Sequence, residues 1–178
     1  GDNVPDDYGF TNAPDDILGV DVLTLSNAIT LELGNGESKL VSFTAPAYGR
    51  YEIERTDNGT FIVYNKDGDK LKRVQGINRT NVFDREMEKG ETYYFLVDNA
   101  GIVRPNQKTR ITMTASGTEY TIVSLEKGTP VHGGSWITFE APEDNYYTFT
   151  FEKDGVIDES LTKEESLSKG QWMRPFPI

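Results

Sequence analysis

Val41-Ser-Phe-Thr-Ala-Pro46, followed after two residues by Gly49-Arg-Tyr51-Glu-Ile53, decides the reading of this chain, because it returns 96 residues later as Ile137-Thr-Phe-Glu-Ala-Pro142 and Asn145-Tyr-Tyr147-Thr-Phe149. Phe43 matches Phe139, Ala45 matches Ala141, Pro46 matches Pro142 and Tyr51 matches Tyr147, with no gap. A second pair, Glu88-Lys-Gly-Glu-Thr-Tyr-Tyr94 and Ser168-Lys-Gly-Gln-Trp-Met-Arg174, stands at an offset of 80, so the second copy is 16 residues shorter inside. Self-similarity of this kind marks an internal repeat and organises the whole fold.

Both copies alternate at period two, which is the periodicity of half-buried strands. Val41, Phe43 and Ala45 share one face, with Leu40, Ser42 and Thr44 on the other. In the second copy Tyr147, Phe149 and Phe151 oppose Tyr146, Thr148 and Thr150. Turn clusters such as Gly34-Asn-Gly-Glu37, Asp57-Asn-Gly59, Lys66-Asp-Gly-Asp69 and Pro142-Glu-Asp-Asn145 punctuate the strands roughly every 8 to 12 residues, the spacing of a β-sandwich. The expected fold is therefore all-β, a tandem of antiparallel, jelly-roll-like β-sandwich units with little helix. The one helical turn expected lies over Thr162 to Ser168, with Thr162 as cap and Glu165 three residues on.

Three segments follow: an acidic N-terminal linker at 1–17, a complete sandwich at 18–115, and a shortened second repeat at 116–178. The second lacks a counterpart of Phe61 to Arg73 and of Thr109 to Ala115, and Pro175 and Pro177 keep its last strand from pairing on both sides. Some 63 residues without a disulfide are marginal alone. This repeat is expected to pack on the first or to be cut short.

An opening Asp6-Asp7-Tyr8-Gly9, then Gly34-Asn-Gly-Glu37, Val41 to Pro46, Gly49 to Ile53, Tyr64-Asn-Lys-Asp-Gly68 and Lys89-Gly-Glu-Thr-Tyr-Tyr-Phe-Leu-Val97 resemble, in order and spacing, the bacterial pre-peptidase C-terminal domain family. The resemblance covers nearly all of the first unit and about half of the second. It implies a secreted or surface-attached bacterial jelly roll, appended to larger extracellular proteins and without catalysis of its own. Some relatives, including collagen-binding modules of clostridial collagenases, bind calcium near the N-terminal linker. The tandem arrangement and the truncated second copy depart from that pattern.

Composition narrows the chemistry. Of 178 residues none is cysteine and one is histidine, which excludes thiolate catalysis, disulfides and cysteine zinc sites, and leaves one candidate proton shuttle, His132 in a Val-His-Gly-Gly turn. A surface histidine is the reading there. The net charge of −11 falls as −8 over residues 1–38, +3 over 39–115 and −6 over 116–178. Phosphate or anionic lipid would be repelled over most of that surface, so nucleic acid is not an expected partner. The basic cluster Lys66, Lys70, Lys72, Arg73, Arg79 and Arg85 is a solvated hairpin face or a dock for an acidic surface. No apolar run approaches the length of a membrane span. Residue 1 is Gly rather than Met, so a processed chain is expected.

Two candidate sites emerge. Asp6 and Asp7, beside Asp2, Asp15 and Asp16, offer hard oxygen ligands for calcium, or else form a solvated acidic linker. Trp136 matches Leu40, which puts it opposite Ile137 on the outward face with Tyr146; there both would stack on sugar rings or anchor a protein partner, or be buried against the first unit. The pairs Glu164-Glu165 and Glu52/Glu54 have the residue types of acid-base catalysis without a visible cleft, and no catalytic residue is assigned. The functional expectation is a non-catalytic extracytoplasmic bacterial module binding a glycan or protein. The alternatives are a structural spacer without a small ligand and, behind it, a hydrolase.

Overall fold

The computed structural model describes residues 17–57, 59–75, 81–99 and 104–178, with the side chain of Arg174 left aside. It is all-β, as the alternation requires, and it divides into two compact units that meet in sequence between Glu119 and Tyr120.

The first unit holds nine strands: β1 (Ile17–Leu23), β2 (Ile29–Leu33), β3 (Ser38–Thr44), β4 (Gly49–Arg55), β5 (Phe61–Asn65), β6 (Lys70–Val74), β7 (Asn81–Met87), β8 (Thr92–Asp98) and β9 (Thr109–Glu119). They form a five-stranded sheet in the order β1-β3-β8-β5-β6 and a four-stranded sheet in the order β2-β9-β4-β7. All pairs are antiparallel except β1 with β3, whose register shifts between Ile17 and Val20, where Gly19 adopts φ 141°. The inward residues of both sheets interdigitate in one core, in which Phe83 and Phe95 meet at 5.7 Å and Phe43 and Tyr51 at 5.4 Å. Tilted and edge-on aromatic pairs of this kind add to area burial.

The face of β3 that alternation assigns to solvent is partly buried. Leu40 is 0% exposed and joins Tyr64 and Leu96 in a second apolar cluster, with Ile17, Val20, Ile62 and Tyr94 partly buried beside them. Strands buried on both faces lose clean alternation. The sheet here is apolar on two sides.

Seven short strands make the second unit: β10 (Ile122–Ser124), β11 (Trp136–Glu140), β12 (Asn145–Phe149), β13 (Glu152–Lys153), β14 (Val156–Ile157), β15 (Lys163–Leu167) and β16 (Trp172–Pro177). β10 pairs parallel with β11 and β11 antiparallel with β16; β12 pairs with β15 and β13 with β14. Ala141, Phe149, Leu167 and Met173 form the small core, flanked by Phe139, which lies 5.0 Å from Tyr147 and 5.1 Å from Phe149.

The helical turn expected over Thr162 to Ser168 is instead strand β15. Its capping-box pattern is local, whereas Lys163, Glu165 and Leu167 alternate toward the interior and the strand pairs with β12 over its full length. Tertiary pairing outweighs the weak helical signal. A single 3-10 turn stands just before it at Glu159–Leu161, where the Asp158 carboxylate accepts the Ser160 N–H at 3.0 Å.

Equivalent bonds recur at the matched positions. Ala45 N–H donates to Glu91 and Gly90 N–H to Ala45, both at 2.9 Å; Ala141 N–H donates to Gln171 at 3.0 Å and Gly170 N–H to Ala141 at 2.7 Å. The Tyr51 hydroxyl reaches the Ala47 carbonyl at 2.7 Å, and the Tyr147 hydroxyl the Glu143 carbonyl at 2.5 Å. Strand register follows the same offsets: Tyr51 faces Arg85 and Tyr147 faces Glu165, while Phe43 faces Tyr93 and Phe139 faces Met173.

Candidate functional site

The aromatic residues singled out from sequence do not share one platform. Trp136 opens β11, in the β10-β11-β16 sheet, where its N–H donates to Thr121 at 2.8 Å and its indole stacks on Tyr120 with ring centres 3.8 Å apart and planes 11° apart. It is half-buried, and one face of the ring is already covered. Tyr146 lies on β12, in the β12-β15 pair, and is 81% exposed. Trp172, opposite Glu140 on β16, is 44% exposed. Tyr120 is the partner that sequence reasoning missed; as the first residue after β9 it carried no periodic signal.

Around Tyr146 the surface is acidic. Thr148 faces Glu164 and Tyr146 faces Ser166 across the β12-β15 pair, with Glu143 and Asp144 in the preceding turn. The Asp144 carboxylate accepts the Lys169 N–H at 2.6 Å, tying that turn to the one before β16. On the other side, the Asp154-Gly155 hairpin takes φ 54° and 78°, the conformation of a tight two-residue turn, and leaves Val156 at 69% exposed.

Each candidate acid pair lies on a single strand. Glu164 and Glu165 are neighbours on one strand and so point to opposite faces, with Glu165 held 3.5 Å from Lys163. Glu52 and Glu54 alternate with the core residues Tyr51 and Ile53, which puts both on the polar face of the four-stranded sheet. His132 is exposed in the turn that Ser135 N–H closes at 3.1 Å. Asp6 and Asp7, with Asp2, Asp15 and Asp16, lie outside the described residues. Among the described residues no group of three or more His, Cys, Asp or Glu is placed to hold a metal ion. No helix among them is long and apolar enough to cross a membrane.

Three further polar features lie in the first unit. A cleft of about 450 Å³ lies between Gly34, Glu37, Arg104, Asn106 and Lys108. Its acidic side chain, Glu37, is occupied by the Gly34 N–H at 2.5 Å. Lys66 to Asp69 is a turn, in which Asn65 Oδ1 accepts the N–H groups of Asp67 and Asp69, both at 2.9 Å. The buried Arg55 guanidinium donates to Asp57 at 2.5 and 3.1 Å and to the carbonyls of Thr60 and Asp98 at 2.8 and 2.9 Å. Burial pushes the Asp57 carboxyl up, but the hydrogen bonds and charge of Arg55 outweigh it and hold the group below the usual carboxylate range. Its geometry closes a loop and offers no room for a substrate.

No family model matches the chain, and no curated protein matches it. Among solved structures it is similar to the pre-peptidase C-terminal domain of a collagenase from Bacillus anthracis, at 11% identity and a TM-score of 0.41, over 60% of this chain and 100% of that one. It is also similar to PliG of Aeromonas hydrophila, a periplasmic lysozyme inhibitor of g-type lysozyme, at 9% identity and a TM-score of 0.41, over 56% of this chain and 97% of that one.

Proposed function

We propose that the chain is a non-catalytic binding module of the bacterial cell exterior, in which the first unit is the scaffold and the second, a shortened copy of the same sandwich, carries the recognition surface. The observation that carries this reading is Tyr146, 81% exposed in mid-strand on an acidic unit, with Val156 and Trp172 exposed in the same unit. A tyrosine exposed on a strand offers a partner a flat apolar face with a polar edge. The matched hydrogen bonds of Ala45 and Ala141, and of Tyr51 and Tyr147, support a common origin for the two units.

A protein is the better partner than a glycan. A broad sugar-binding platform is favoured by open rings set side by side, whereas Trp136 has one face covered by Tyr120 and stands on a different sheet from Tyr146. Tyrosine and tryptophan are the side chains that anchor protein interfaces.

Sedimentation of the full chain with insoluble polysaccharides, peptidoglycan and fibrous proteins tests the reading, with Tyr146→Ala and Trp136→Ala beside it. Depletion by a protein ligand that Tyr146→Ala removes is the expected result. Depletion by none of them would replace binding with a spacer role, and turnover of any polymer would replace it with hydrolysis.

A further inference from the structure

In the first unit β4 is a central strand, pairing with β7 on one side and β9 on the other. Its counterpart β12 pairs with β15 alone among the described residues, and nothing there takes the place of β9. The difference shows in burial. Tyr51 is 1% exposed beneath β9, whereas Tyr147 is only half-buried, and Asn145 is exposed where its counterpart Gly49 is buried.

The backbone groups on that side can be identified. Thr56 N–H, continuing β4, donates to Thr112 of β9 at 3.1 Å, so the even-numbered residues of β4 face β9. At the offset of 96 these are Tyr146, Thr148 and Thr150. Tyr146 N–H agrees: it donates to its neighbour's side chain, Asn145 Oδ1, at 2.8 Å.

Exposed strand edges are usually guarded by proline, charge or bulges. β16, which pairs with β11 alone among the described residues, carries Pro175 and Pro177. β12 reads Asn145-Tyr-Tyr-Thr-Phe149, with neither proline nor charge and with residues that favour strands. Of these two edges, proline closes that of β16 and leaves that of β12 open.

We propose that the open edge of β12 accepts an extended, basic segment of a partner protein as an added antiparallel strand. The proposal rests on the reading of the second unit as the recognition unit and names its partner. Register transfers from β4 and β9, where Tyr51 faces Gly117, Ile53 faces Ala115 and Arg55 faces Met113. The added strand therefore places a glycine opposite Tyr147, a small apolar residue opposite Phe149 and a larger one opposite Phe151. Glycine is required at the first position because a Cβ at Gly117 would lie 2.3 Å from Tyr51 Cδ1. Charge selects the rest. Residues 120–178 carry ten acidic and five basic side chains, a net −5, with Glu143, Asp144, Glu152 and Glu164 around β12. Outward lysines or arginines on the added strand complement that field.

The test uses the full chain and the synthetic peptide Lys-Ile-Lys-Met-Lys-Ala-Lys-Gly-Lys, which keeps the inward residues of β9 and makes the outward ones basic. Saturating peptide is expected to slow hydrogen exchange at the Tyr146 and Thr148 amides by at least about tenfold while leaving β4 unchanged. Replacing the peptide's glycine by leucine is expected to weaken binding by at least about tenfold, and replacing its lysines by glutamate to abolish it. Thr148→Pro removes an N–H from the open side without breaking a β15 bond, so it should eliminate peptide binding and leave the melting curve in place. Unslowed exchange at both amides, or equal binding of the glutamate peptide, would overturn the proposal. Protection in the peptide-free chain that grows with protein concentration would assign the edge to a second copy and overturn the partner strand. If peptide binding fails while Tyr146-dependent sedimentation persists, the edge is wrong and the binding function stands. The reverse result, peptide binding without Tyr146-dependent sedimentation, moves the recognition surface from the Tyr146 ring to the strand edge and rejects the insoluble polymers as ligands.

Discussion

A Cβ on Gly117 would stand 2.3 Å from Cδ1 of Tyr51 and 2.7 Å from the Arg50 carbonyl oxygen, so β9 crosses the Tyr51 ring at a residue with no side chain. The contact joins the two strands that hold the four-stranded sheet together, and it explains how a tyrosine in mid-strand is 1% exposed. Gly117→Val forces the ring and the β4 backbone apart. We expect a loss of about 1–3 kcal/mol, the usual cost of overpacking, read from chemical unfolding of the first unit. Ser116→Ala, next to it on the exposed side, should stay within about 0.5 kcal/mol of the parent. Equal stability of Gly117→Val and the parent would show that the ring is not confined by β9.

The hydroxyls of Tyr51 and Tyr147 make the same bond in different surroundings. Tyr51→Phe leaves the Ala47 carbonyl without its donor beside a buried ring, and should cost about 0.5–1.5 kcal/mol. Tyr147→Phe frees a carbonyl that water reaches, since Glu143 is exposed, and should cost less. Separate unfolding curves for the two variants decide it. A larger loss for Tyr147→Phe would mean that solvent does not replace the bond at Glu143.

Much of this architecture is legible before any coordinates. Val41-Ser-Phe-Thr-Ala-Pro46 and its copy declare strands because the apolar residues fall at period two, and the absence of a match to Thr109 to Ala115 in the second copy already implies an incomplete sheet. Leu40 reads as outward-facing in the sequence, because alternation distinguishes two faces and cannot tell that both carry apolar residues. The stretch after Thr162 mimics a capped helix over four residues, while its pairing with β12 depends on residues 14 to 22 positions away. Tyr120 is invisible as the partner of Trp136 because stacking across a loop has no period. Edges, like stacks, belong to the sheet as a whole, and no short motif encodes them.

Arg55 is a buried cation whose bonds are all local to one corner: Asp57, the Thr60 carbonyl and the Asp98 carbonyl. Its guanidinium also passes so close to Gly59 that a Cβ there would sit 2.0 Å from Cζ. Arg55→Met removes the charge and leaves two carbonyls and a carboxylate without their donor. Breaking a buried pair costs about 3–5 kcal/mol, and because the Asp57 side chain is 30% exposed the loss should fall below that range. Arg55→Lys should recover little of it, since an ammonium cannot span the fork that guanidinium bridges. Urea unfolding of the parent, Arg55→Met and Arg55→Lys checks the order, and a lysine variant as stable as the parent would reject the fork as the source of the stability. The same pair sets an acid limit: Asp57 is held low in the fold, so its contribution is present above the ordinary carboxylate value and is lost as pH falls through the lowered one.

At high pH the first unit has the opposite liability. Burial, then the 2.8 Å hydrogen bond to Glu91 and the charge of that carboxylate, push the Tyr93 hydroxyl up to about 12, against the lowering effect of Arg85. Burial also raises Tyr51 and Tyr64. A phenol whose folded value lies above its unfolded one favours the protonated fold. That stability is full below the unfolded value near 10 and is lost as pH rises toward about 12, because the unfolded chain releases protons first. The midpoint of urea unfolding should therefore hold steady from pH 7 to about 9.5 and then fall. Tyr93→Phe keeps the ring between Phe83 and the sheet, and it removes one of the titrating groups, so its midpoint should decline less steeply over the alkaline range. Parallel alkaline slopes for parent and variant would place the loss elsewhere than at Tyr93.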